Sequence, residues 1–207
     1  SPTYYNSFGE VTPDLNNIKA ITLHTRFATS SKGFQNTHPF VDDSSSTSLI
    51  HNGVISNADE FDLTRSTCDS EAILVSYLDN KMSSYFGAAN KVASDLYGYY
   101  VAALFSYDSE GNRILDILKG NNTSFVAVWV DQLDTYVICS NERDIHDACK
   151  RMGFTYQPTV NFKDDIAMRI NPYTGDVINS MEIKVNSRYK PYTPPATTYY
   201  GRQHNSE

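Results

Sequence analysis

Residues 49–57 read LIHNGVISN, a short apolar segment interrupted by one amide and one glycine. Residues 48–51 predict a strand that runs into Asn52-Gly53, a pair that strongly favours a tight turn. On its own, such a pair is most often a plain hairpin turn. The alternative is that the amide and the glycine belong to a functional site, and the surrounding sequence bears on that choice.

Three other segments in the same half of the chain carry polar residues of chemical interest. Residues 24–29 read HTRFAT, residues 36–40 read NTHPF, and residues 69–71 read DSE where a helix is predicted to start. Taken singly, each has an ordinary explanation, with Arg26 as a surface ion-pair partner and Asp69 as a helix N-cap. Four such segments in one chain make coincidence a poor explanation.

Histidines occur in three of these segments, at His24, His38 and His51. They have no helical H-x-x-x-H spacing, and no acidic residue accompanies them in such a motif, so no metal site is predicted. We interpret them as structural hydrogen-bonding residues.

The bulk composition argues against several classes of function. A length of 207 residues predicts one domain, or one domain with a tail. The 24 acidic and 17 basic side chains argue against nucleic acid or an anionic membrane as a partner. No apolar run approaches the ~20 residues of a membrane span. Three cysteines without metal or redox spacing (Cys68, Cys139 and Cys149) favour a reducing compartment, the cytoplasm.

Hydrophobic periodicity predicts the order of the regular elements. We expect strands over 18–23 and 48–51, helices from 67 and over 85–96, strands over 99–107, 114–118, 124–130 and 135–139, a helix over 141–153, and a hairpin over 166–170 and 177–184. Strands followed by helices and then strands again predict an α+β fold with antiparallel sheets, because alternating βαβ units are absent from this order.

Together, the four segments resemble the class II glutamine amidotransferase domain, whose members carry HTR(W/Y/F)AT, N-x-HP(H/F), HNG(I/V/L)I-x-N and D(T/S)E in this order. The resemblance covers about residues 18–184. It implies an αββα four-layer sandwich of two antiparallel sheets flanked by helices, the N-terminal-nucleophile hydrolase fold, and it implies no cofactor. Residues 1–17 are predicted to be irregular, and residues 185–207 form a tail rich in Pro and Tyr.

The resemblance also implies roles for individual residues. Arg26 matches the arginine that clamps the α-carboxylate of glutamine, a task suited to the guanidinium fork. Asp69 matches the aspartate that pairs with the α-ammonium group. Phe27 and Thr29 would line the pocket beside Arg26.

The same resemblance assigns Asn52 and Gly53 to the oxyanion hole. The side-chain amide of Asn52 and the backbone N–H of Gly53 would donate to the oxygen that becomes negative in the tetrahedral intermediate. Glycine permits both the close approach of the backbone and an unusual φ angle.

The sequence departs from the family at its start. Family members begin with a cysteine nucleophile, whereas this sequence begins with Ser1-Pro2, and only 23 residues precede His24. We therefore expect the first strands of the family fold to be missing. Three explanations remain open: a processed chain whose nucleophile lies on an upstream segment, a degenerate domain, or Ser1 itself as the nucleophile.

These alternatives lead to two functional hypotheses. In the first, the domain binds glutamine and hydrolyses it to glutamate and ammonia for an acceptor on a synthase domain or subunit, with a Cys-bearing upstream segment as partner. In the second, the domain is catalytically inactive and is retained as a binding or assembly module, with its C-terminal tail docked on a protein partner.

Overall fold

Two periodicities along the chain generate the elements of this computed structural model, which describes residues 20–24, 33–81, 84–121 and 123–186. Segments with apolar residues on alternate positions form strands, and segments with an apolar stripe at helical spacing form helices. In chain order the elements are β1 (Phe40–Asp42), β2 (Thr47–Ile55), α1 (Ser70–Asn80), α2 (Tyr85–Asp95), β3 (Gly98–Tyr107), β4 (Arg113–Gly120), β5 (Val126–Val130), β6 (Thr135–Cys139), α3 (Glu142–Met152), β7 (Val160–Asn161), β8 (Ile166–Ile170) and β9 (Val177–Glu182).

The strands form two antiparallel sheets. The larger sheet has the order β1-β2-β3-β4-β8-β9, and the smaller has the order β6-β5-β7. One apolar cluster joins the outer face of the larger sheet to α1 and α2, and its members include Leu49, Tyr100, Leu104, Ile73 and Val92. A second cluster fills the space between the sheets, and its members include Ile117, Met168, Phe125 and Phe162. A third packs α3 on the smaller sheet. The predicted αββα sandwich is therefore confirmed.

The helix boundaries follow from local capping. The hydroxyl of Ser84 accepts a hydrogen bond from the N–H of Gly87 at the start of α2, and Asn141 caps α3 in the same way. Helix α3 ends where Gly153 adopts a φ of 68°, a left-handed conformation that favours glycine. Each of the three α-helices in the described ranges has 11 residues, and none is long and apolar enough to cross a membrane.

A buried ion pair within the larger sheet also binds a tyrosine of α1. Asp116 on β4 is fully buried and accepts two hydrogen bonds of 2.8 Å from the guanidinium of Arg169 on β8. The hydroxyl of Tyr77 on α1 donates to the same carboxylate at 2.7 Å. Because burial leaves each charge dependent on its partners, this cluster holds α1, and hence its N-terminal end, in one position on the sheet.

Two sequence-based expectations are wrong in the described residues. Asn52-Gly53 forms no turn, because β2 continues through it and pairs with β3 as far as Ile55 and Gly98. Residues 20–23, the described part of the strand predicted over 18–23, have no regular secondary structure. The turn propensity of Asn-Gly is overridden by strand pairing, which depends on close packing at Gly53. A Cβ atom there would overlap the carbonyl oxygen of Tyr99 and lie 2.7 Å from the Cα of Tyr100.

We predict that Gly53→Ala will lower the free energy of unfolding by about 2 kcal/mol or more, measured by urea denaturation. The substitution combines a φ of 142° with a backbone clash. Gly111→Ala is the matched control, since Gly111 also has a positive φ, 83°, but nothing lies within 4 Å of an added Cβ. Equal losses in the two variants would contradict the role of close packing at Gly53.

Candidate functional site

The second half of β2 has one paired edge and one edge bonded by side chains. Strand β3 pairs with β2 from Ser48 to Ile55, whereas β1 pairs only with Thr47–Leu49. Beyond Leu49, Nε2 of His24 donates to the carbonyl oxygen of His51 at 2.9 Å. The N–H of Ile55 donates to Oδ2 of Asp69 at 2.7 Å. Side chains from two distant segments thus take positions that a neighbouring strand would otherwise occupy.

Asp69 stands at the N-terminus of α1 but does not cap it. Its side chain makes no hydrogen bond to the first turn of the helix, and its carboxylate turns to the strand instead. The simple N-cap interpretation of Asp69 is therefore wrong. Asp69 is partly exposed, so its carboxylate combines one fixed oxygen with access to solvent.

Asn52 and Gly53 lie on β2 between the two bonded backbone groups. Side chains alternate between the faces of a strand, so the buried His51 and the exposed Asn52 point to opposite faces. Asn52 thereby keeps an amide available to a ligand. The structure thus brings Asn52, Gly53 and Asp69 to the same end of one strand.

The hydroxyl of Ser70 connects two of the histidines. Its Oγ lies 3.1 Å from Nε2 of His38 and 2.8 Å from Nδ1 of His51. The ring of His24 contacts that of His38 in a tilted arrangement, with ring centroids 4.0 Å apart and 40° between the ring planes. As predicted, each of the three histidines makes a hydrogen bond. We call His24, His38, His51 and Ser70 the histidine–serine cluster.

Burial keeps one member of this cluster neutral. Desolvation lowers the pKa of His51 to about 4, against the opposing effect of the nearby Asp69 carboxylate and with a smaller contribution from His24. A neutral imidazole has one N–H donor and one acceptor nitrogen, which is what a hydrogen bond to a hydroxyl requires. His51 is therefore a neutral hydrogen-bonding residue and not a cation.

Glu71 is a further structural residue that the sequence did not reveal. It is almost fully buried, and its carboxylate accepts hydrogen bonds from the N–H groups of Thr64 and Arg65 and from the hydroxyl of Ser66. These bonds fix the loop that leads into α1. Its place in the DSE segment was visible in the sequence, but its partners were not.

Four of the predicted site residues lie outside the described ranges, namely Ser1, Arg26, Phe27 and Thr29. Among the residues that the structure describes, no group of three or more His, Cys, Asp or Glu side chains is arranged to hold a metal ion.

Sequence comparison relates the chain to glutamine–fructose-6-phosphate aminotransferases, although no protein-family model matches it. Glutamine–fructose-6-phosphate aminotransferase from Staphylococcus aureus is 30% identical over 139 residues, covering 60% of this chain and 23% of that enzyme. The Staphylococcus epidermidis enzyme is 30% identical over 157 residues, covering 68% of this chain and 26% of that enzyme. The chain thus spans about a quarter of the length of these relatives.

Structural comparison relates the chain by fold to two solved structures, one of an amidotransferase and one of an enzyme of purine biosynthesis. Glutamine phosphoribosylpyrophosphate amidotransferase from B. subtilis matches with a TM-score of 0.54 and 20% identity, over 79% of this chain and 34% of that one. An allosteric regulatory enzyme of purine biosynthesis matches with a TM-score of 0.55 over 79% and 35%.

The protein therefore has the fold of the N-terminal-nucleophile hydrolases. Within that class, its homologues are class II glutamine amidotransferases, at distant identity and over part of their length.

We predict that the contribution of His51 to stability disappears as the pH falls. Its pKa is about 4 in the folded protein and 6.5 as a free side chain, so the unfolded chain takes up the proton first. The free energy of unfolding should therefore fall between pH 6.5 and pH 4, by up to about 3 kcal/mol, and this contribution should be fully present above that range.

His51→Gln is the control, since it removes this titration and leaves every other ionisable group in place. Urea denaturation from pH 4 to pH 7 should give a difference between the two proteins that narrows as the pH falls. A difference that is constant over the whole range would show that the imidazole of His51 titrates normally.

Proposed function

We propose that this domain binds free glutamine beside the second half of β2, as the glutamine-binding part of an amidotransferase. The observation that carries the proposal is the hydrogen bond from the N–H of Ile55 to Asp69. It brings a partly exposed carboxylate to the strand that bears Asn52 and Gly53. A carboxylate beside the amide of Asn52 and the backbone of Gly53 suits a ligand that has both a cationic group and a polar carbonyl.

Asp69 would hold the α-ammonium group of glutamine. Oδ2 of Asp69 accepts a hydrogen bond from the N–H of Ile55. Oδ1 has the thiol of Cys68 at 3.5 Å, and a thiol is a weak donor that an ammonium group would replace. We assign Arg26 to the α-carboxylate of the ligand. It follows His24 by two residues, and His24 is bonded to the backbone of β2.

Asn52 and Gly53 would polarise the side-chain amide of glutamine. Alternate residues of a strand direct their N–H and C=O groups to the same edge. Since the carbonyl of His51 and the N–H of Ile55 both meet side chains rather than β3, we expect the N–H of Gly53 at that edge also. Together with the amide of Asn52, it would stabilise a tetrahedral oxyanion.

Hydrolysis requires a nucleophile to attack the amide carbon, after which ammonia leaves and water releases glutamate. We propose that a cysteine on a separate segment supplies it, and Ser1 is the alternative source. The relatives' names pair glutamine with fructose 6-phosphate or with phosphoribosylpyrophosphate. By analogy, we propose that ammonia passes to an acceptor site on another domain or subunit, in the cytoplasm.

We predict saturable binding of L-glutamine by the 207-residue chain in isothermal titration calorimetry. Asp69→Asn and Arg26→Ala should each weaken it by at least tenfold, because each leaves one charge of the ligand unpaired. Asp79→Asn, at an exposed position of the same helix, and Arg143→Ala, on the exposed face of α3, are the matched controls and should bind like the parent chain. Absence of saturable binding at millimolar glutamine would refute the proposal.

A separate prediction concerns the source of the nucleophile. If the nucleophile lies on another segment, the chain by itself binds glutamine without releasing glutamate, as measured by coupled glutamate dehydrogenase assay. Glutamate release that is abolished in Ser1→Ala would instead identify Ser1 as the nucleophile.

A further inference from the structure

Three of the four segments carry the proposed ligand-binding residues, and all four segments are joined by residues that do not contact the ligand. His24 donates a hydrogen bond to the backbone carbonyl of His51 on β2, and its ring contacts that of His38. His38 and His51 both meet the hydroxyl of Ser70. Ser70 follows Asp69 directly in the chain. The histidine–serine cluster therefore reaches all four segments, and His24, His51 and Ser70 each lie one or two residues from a proposed ligand contact.

Ser70 is the member on which the other contacts converge. It is buried at the first residue of α1, and its partners lie 32 and 19 residues away in the sequence. The thiol of Cys68 approaches the same oxygen at 3.4 Å. No other described hydroxyl makes contact with two histidines from two different segments.

The single proton of the Ser70 hydroxyl limits the hydrogen bonds that it can share with the two histidines. A serine hydroxyl has one proton, so Ser70 donates to at most one of the two imidazoles, and at least one imidazole must donate to it. The tautomers of His38 and His51 are consequently linked through one oxygen atom. Removal of that oxygen leaves Nδ1 of the buried His51 without this partner, and an unsatisfied buried polar group is unfavourable.

Resting on the proposed function, we propose that Ser70 is a positioning residue for glutamine binding. Its hydroxyl fixes the start of α1, and so the carboxylate of Asp69, relative to Asn52 and Gly53 on β2. Ser70 does not touch the ligand. It acts by holding the ammonium-binding group and the amide-binding pair at a constant separation, and binding energy is sensitive to such placement.

The test compares serine substitutions at two buried positions of α1. Ser70→Ala removes the bridging hydroxyl, and Ser70→Thr retains it. Ser76→Ala is the matched control, because Ser76 lies on the same helix, is equally buried at 2% exposure, and contacts Asp95 at 3.4 Å instead of the cluster. All three variants and the parent chain are titrated with L-glutamine by calorimetry, and their unfolding is followed in urea.

We expect Ser70→Ala to weaken glutamine binding by about tenfold. Ser70→Thr should restore most of the affinity, and Ser76→Ala should bind like the parent chain even where its stability falls. Imidazole ¹⁵N chemical shifts should change for His38 and His51 in Ser70→Ala and remain unchanged in Ser76→Ala. A purely structural role would not give this pattern of rescue and spectroscopic change.

The experiment distinguishes failure of the proposed function from failure of the positioning role. If the parent chain does not bind glutamine, the proposed function is refuted and the positioning role falls with it. If the parent chain binds glutamine and Ser70→Ala binds equally well, the proposed function stands and the positioning role of Ser70 alone is overturned. Weakened binding in Ser70→Ala that Ser70→Thr does not restore would also overturn it, since the hydroxyl would then not be the cause.

Discussion

A strand that loses its neighbour must satisfy its backbone N–H and C=O groups by other means, and β2 meets this constraint at the point where β1 ends. The carbonyl of His51 is satisfied by His24, and the N–H of Ile55 by Asp69. Each of these side chains brings its own segment to the strand. The unpaired edge of β2 is thus the place where the segments of His24 and Asp69 contact the strand.

Burial divides the polar residues of this region into two groups. His51, Ser70 and Glu71 are almost fully buried, and each is hydrogen-bonded to other parts of the protein. Asn52 and Asp69 retain exposed or partly exposed polar groups. The low dielectric around the buried residues strengthens their hydrogen bonds, and burial keeps His51 uncharged.

The larger sheet supplies the rigid frame for this arrangement. The Tyr77–Asp116–Arg169 cluster holds α1 near its middle, and the Ser70 contacts hold its first turn. A helix fixed at two points cannot rotate about its axis without breaking buried hydrogen bonds, which is unfavourable. Close packing at Gly53 and Gly98 similarly holds β2 against β3. The distance between β2 and α1 is therefore set by the packing of the core.

The sequence by itself determined the elements whose periodicity is local. Helices α1, α2 and α3 and strands β3 to β6, β8 and β9 were all predicted close to their observed limits, because apolar spacing within each segment encodes the face that it buries. Motif order likewise indicated the family. Only the tertiary structure decided the rest. Strands β1 and β7, of three and two residues, exist through pairing alone and leave no periodic signal.

Asn52-Gly53 illustrates the same division between local and long-range information. Its local preference is a turn, but pairing along β3 and the space released by two glycines keep it in a strand. The roles of Ser70 and Glu71 were equally hidden, since a hydroxyl or a carboxylate acquires its function from partners that the sequence places up to 32 residues away. Local spacing determines which surface an element buries, and long-range contacts determine what that surface meets.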